Sequence, residues 1–70
     1  MTVKKPIANL RNFLMNTTED ELIIRTTYVK GGWHDVEFTA NRCGFSIERF
    51  INPEMEARHE FSECYKLVRK

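Results

Sequence analysis

Two histidines and two cysteines, His34, His59, Cys43 and Cys64, are the side chains of this 70-residue sequence best suited to ligate a metal or to act as nucleophile and base. Imidazole and thiolate suit zinc, but the spacing matches no zinc motif. On a helix His59 and Cys64 would stand about 140° apart around the axis, too far to share a small ion. No metal site and no cofactor is therefore expected. His34 and Asp35 are adjacent, and in a strand adjacent side chains point to opposite faces, so they do not make a catalytic pair. Cys43 could be activated by a neighbouring histidine, which leaves a redox-sensitive factor or small enzyme subunit as a reserve reading. In a turn the thiol is more simply a bystander, and a chain this short has little room for a deep pocket. The protein is expected not to be an enzyme.

Binding chemistry is better represented. Trp33 beside Gly31-Gly32 is an anchor if exposed and a packing residue if not. Glu54, Glu56, Glu60 and Glu63 recur at helical spacing. Such a ladder usually forms a solvated face paired with residues such as Arg58 and Lys66, and it can also dock on a basic partner.

Composition narrows the setting. Seventy residues make one domain, near the lower size at which a chain buries enough apolar surface to fold alone. An apolar fraction of 41% suffices for one core, and 30% charged residues is ordinary for a soluble surface. The net charge of +1 gives no strong long-range pull on a polyanion, so any nucleic-acid contact requires a local basic patch. The longest apolar runs include Phe13-Leu14-Met15 and Leu22-Ile23-Ile24, too short for a signal segment or a membrane span. Two cysteines are too few for a secreted disulfide framework and are read as reduced, partly buried thiols. The expected setting is intracellular, in the cytoplasm.

These side chains need elements to position them. From Pro6, the apolar positions Ile7, Leu10 and Leu14 have helical spacing, predicting a helix over 6–15. The β-branched run Ile23, Ile24, Thr26, Thr27, Val29 predicts a strand over 21–29, with Leu22, Ile24 and Tyr28 on one face. Lys30-Gly31-Gly32-Trp33 reads as a hairpin tip. Val36, Phe38 and Ala40 then alternate with Asp35, Glu37 and Thr39, the pattern of a half-buried second strand. Asn41-Arg42-Cys43-Gly44 reads as a type I turn with a glycine bulge. A third strand is predicted over 45–51, with Phe45, Ile47 and Ile51 inward. Asn52-Pro53 starts a helix over 53–68, whose stripe is Ala57, Phe61, Cys64 and Val68. The fold class is thus α+β in the order α-β-β-β-α, a three-stranded antiparallel sheet with two helices packed on one face.

Three stretches in that order resemble the double-stranded RNA-binding domain. Pro6 followed by Leu10-Arg11-Asn12-Phe13 is similar to the family's first helix. Gly31-Gly32-Trp33-His34 through Phe38 resembles its Gly-Pro-x-His loop and second strand, and Ala57-Arg58 with Leu67-Val68 its last helix. The resemblance implies that Arg11 and Asn12 touch one minor groove of duplex RNA, Lys30 and His34 the next, and Arg58 the phosphates between. Where the family opens its last helix with paired lysines, this chain has Glu54 and Met55.

Two expectations follow. The first is a small non-catalytic module binding double-stranded RNA through Arg11, Asn12, Lys30, His34 and Arg58. The second is a protein-protein interaction module, a regulator or inhibitor, using Trp33, Glu56 and Glu60, a sheet face or a sheet edge. A homodimer is compatible with either.

Overall fold

The computed structural model describes residues 1–51 and 63–70 of the chain. Its class is the expected one: α+β, with two helices over one face of a three-stranded antiparallel sheet. What differs is where the second helix and the last strand fall along the chain. The elements are α1 (Leu10–Asn16), β1 (Glu21–Arg25), a 3-10 turn (Thr26–Tyr28), α2 (Trp33–Arg42), β2 (Phe45–Ile51) and β3 (Glu63–Arg69).

Helix α1 starts later than Pro6. The Asn9 side chain accepts a bond from the Asn12 N–H at 3.0 Å and caps the helix. Ile7 is instead held by its N–H donating to the Tyr28 carbonyl at 2.8 Å, and its side chain is buried. Strand β1 is where the β-branched run placed it, but it ends at Arg25, where the 3-10 turn begins. Leu22 and Ile24 face the core as expected.

Residues 33–42, expected to form a hairpin tip and second strand, are helical. Gly31, at φ 92°, makes the turn that only glycine adopts without strain, and Gly32 precedes the first helical residue. Val36, Phe38 and Ala40 fit a period of two, but Trp33, Val36 and Ala40 fit 3.6 equally well. The helix buries Val36 and Ala40 and turns Phe38 outward. Asp35 in the first turn and Arg42 in the last complement the helix dipole. The expected type I turn is accordingly the end of α2, where the Cys43 N–H donates to the carbonyls of Thr39 and Ala40 and Gly44 follows at φ 85°.

Strand β2 matches its expected span; Phe45 is buried, Ile47 half-buried and Ile51 largely exposed. The predicted helix over 53–68 is replaced from Glu63 onward by β3, and its earlier part lies outside the described residues. The physical reason is pairing. Strand β3 runs between β1 and β2 and bonds to both, giving the order β1-β3-β2, so without it neither neighbour has a ladder partner on that side. In a strand Cys64 and Val68 share a face with Lys66, while Tyr65, Leu67 and Arg69 share the other.

The register places Leu22 opposite Leu67, Ile24 opposite Tyr65 and Ile47 opposite Leu67 on the face covered by the helices. That face, with Leu14 of α1 and Val36 and Ala40 of α2, forms one core. The N-terminal residues run parallel to β1, with the Val3 N–H donating to the Ile23 carbonyl at 2.8 Å and the Ile23 N–H to the Met1 carbonyl at 2.9 Å. Among the described residues no helix is long and apolar enough to cross a membrane.

Candidate binding surface

Helices α1 and α2 pack side by side, and between their outer faces runs a groove of about 590 Å³ lined by Arg11, Met15, Phe38, Thr39, Arg42 and Cys43. Helical geometry explains the lining. Arg11 and Met15 are four apart on α1, and Phe38 and Arg42 four apart on α2, so each pair shares one helix face. Met15 is 65% exposed and Phe38 63%, the two most exposed large apolar side chains among the described residues. His34 continues the α2 line one turn towards its N-terminus and is also exposed.

Among the described residues no acid lines this groove. The Arg42 guanidinium lies 5.4 Å from the centroid of the Phe38 ring, a cation-π contact that holds it beside the apolar patch. Neither Arg11 nor Arg42 forms an ion pair with a described residue. The Cys43 thiol is half-buried at the groove floor, 4.0 Å from the Arg11 carbonyl. Cys43 and Cys64 are thiols, not a disulfide. Among the described residues no three His, Cys, Asp or Glu side chains are grouped to hold a metal ion.

The residues singled out from sequence are dispersed. Arg11 lines the groove. Asn12 lies round the helix from it, beside Met1, Phe13 and Thr17, and its backbone is engaged in the cap and in a bond from the Asn16 side chain at 2.8 Å. Lys30 is exposed in the segment before α2, and His34 lies in the first turn of that helix rather than in a β-hairpin loop. Arg58, Glu56 and Glu60, with His59 and Glu54, lie outside the described residues. Sequence reasoning missed Met15, Phe38 and Arg42. The available signal was their i, i+4 spacing to Arg11 and to one another, visible only once 33–42 is read as a helix.

Trp33 is not the exposed anchor it could have been. It is half-buried at the start of α2, its ring 5.9 Å from that of Tyr65, with the Arg49 guanidinium 4.7 Å from its centroid. Burial, and then the neighbouring Glu63 carboxylate, raise the Tyr65 phenol above its ordinary pKa, with Arg49 opposing. This stack closes one end of the core and is structural.

The chain matches no family model, no curated protein and no solved structure.

Proposed function

We propose that this chain is a non-catalytic protein-interaction module, a regulator or inhibitor, that engages its partner through the outer faces of α1 and α2. The observation that carries this reading is Met15 beside Phe38, two large apolar side chains left in water on adjacent helices and rimmed by charge. Exposed apolar clusters with a polar rim mark interaction sites. Aromatic residues, methionine and arginine are the types enriched at such sites, and methionine adapts its shape to a partner. Two cysteines are too few for the disulfide framework of a small secreted domain, and we place the module in the cytoplasm.

Double-stranded RNA draws less support. The loop that would read the second minor groove is here the entry to a helix, and Arg11 and Asn12 point to different sides of α1.

A random-peptide display selection against the immobilised chain, counter-selected with Met15→Ser/Phe38→Ser, tests the proposal beside a titration with an RNA duplex of about 16 base pairs. Peptides that bind the native chain and not the double variant are the expected result. Salt-sensitive duplex binding that survives the double variant, with no such peptides, would transfer the function to RNA.

A further inference from the structure

The groove has a charge as well as a shape. Arg11 stands on one wall and Arg42 on the other, and among the described residues neither pairs with an acid and no carboxylate lines the space between them. On the sheet, by contrast, three basic residues have acidic partners: Arg49 with Glu63 at 3.9 Å, Lys66 with Glu21 at 3.7 Å and Arg69 with Asp20 at 3.1 Å. The chain is almost neutral overall, so these two unmatched positive charges act locally, on what enters the groove.

We infer that the partner segment held by this groove is acidic, presenting a large apolar side chain to Met15 and Phe38 with carboxylates placed to reach Arg11 and Arg42. The inference rests on the protein-binding reading above and specifies the partner's chemistry. Guanidinium binds carboxylate through two parallel N–H donors, a geometry that fixes register as well as adding attraction. Phosphate would satisfy the guanidinium groups as well, but it would leave Met15 and Phe38 facing water. An acidic peptide with an apolar anchor satisfies all four side chains at once. The positive charges of Arg11 and Arg42 also repel a basic competitor, so the arginines act on selectivity and encounter rate more than on total affinity.

The peptides enriched by the display selection are the probe, synthesised with a fluorophore in three forms: as selected, with every Asp and Glu changed to the amide, and with every Asp and Glu changed to lysine. Titration of the full chain should show a roughly tenfold loss of affinity for the amide form, as expected for two partly exposed ion pairs. The lysine form should not bind. Arg11→Glu/Arg42→Glu should reverse the order, preferring the lysine form, and each preference should weaken as salt rises. Enriched peptides without acidic residues, or equal binding of all three forms with loss on Met15→Ser/Phe38→Ser, would overturn the acidic partner while leaving the surface in place. Peptides indifferent to Met15 and Phe38 would overturn the surface itself.

Discussion

The guanidinium of Arg69 lies 4.7 Å from the centroid of the Phe45 ring, which the sheet register sets directly across from it. The same side chain reaches past the ring to the segment joining α1 to β1, its Nε donating to Asp20 Oδ1 at 3.1 Å and its terminal nitrogen to the carbonyls of Thr17 and Glu19, each at 3.1 Å. One arginine thus caps the buried Phe45 and fastens α1 to the strand at the centre of the sheet. At the other end of the same face Arg49 covers Trp33. The core is sealed at both ends by a cation on an aromatic ring.

Arg69→Ala removes the ring contact and three hydrogen bonds and should cost about 1–2 kcal/mol, read as a lowered urea midpoint. Asp20 is 86% exposed in its side chain. Asp20→Asn should therefore stay within about 0.5 kcal/mol of the native chain. If the two substitutions cost the same, the ion pair and not the ring and carbonyl contacts would be what matters.

Trp33 is the sole tryptophan, so its fluorescence reports on the stack. Trp33→Ala should destabilise by about 2 kcal/mol, less than a fully buried aromatic because the ring is half-exposed. Arg49→Ala should cost about 0.5–1 kcal/mol and shift the emission. The coupling between the two positions in a double-mutant cycle should fall in that same range of about 0.5–1 kcal/mol. Zero coupling would show that Arg49 only happens to rest on the ring.

Gly44 has φ 85°, and a Cβ added there would meet nothing within 4 Å. Any penalty at this site is backbone strain alone. Gly44→Ala should cost about 1–2 kcal/mol, and Gly44→Asn less, because asparagine enters the left-handed region more readily. A thermal melt of the two variants checks the order; equal costs would mean that the turn rearranges instead of holding its dihedral angles.

Tyr65 is buried, and its phenol is raised above the ordinary value of 10.0, first by burial and second by Glu63. A raised acid holds its proton more tightly folded than unfolded. The stabilisation it contributes is complete below about pH 10 and is lost as pH climbs through the raised value. Tyr65→Phe should therefore lose less stability than the native chain between neutral pH and about pH 11. Parallel stability curves for the two proteins across that range would contradict the shift.

The amino-acid sequence by itself determined the elements whose signals are local. The apolar spacing of Leu10 and Leu14 makes α1, though not its start after Asn9; the β-branched run makes β1, and Phe45 to Ile51 forms a strand bounded by a glycine that only a tight reversal needs. It also determined the class, since 70 residues with this apolar fraction have room for one layer of helix on one sheet. Residues 33–42 and 63–69 carry patterns that suit helix and strand alike, and there the tertiary structure decided. Burying Val36 with Ala40 against Leu14 favours the helix at 33–42. The empty position between β1 and β2 must be filled by a strand, and Tyr65 and Leu67 complete the inner face when 63–69 fills it. The candidate groove belongs to this second category. Arg11 and Met15 lie more than twenty residues from Phe38 and Arg42, and no spacing within the chain brings them together until α2 exists and packs beside α1.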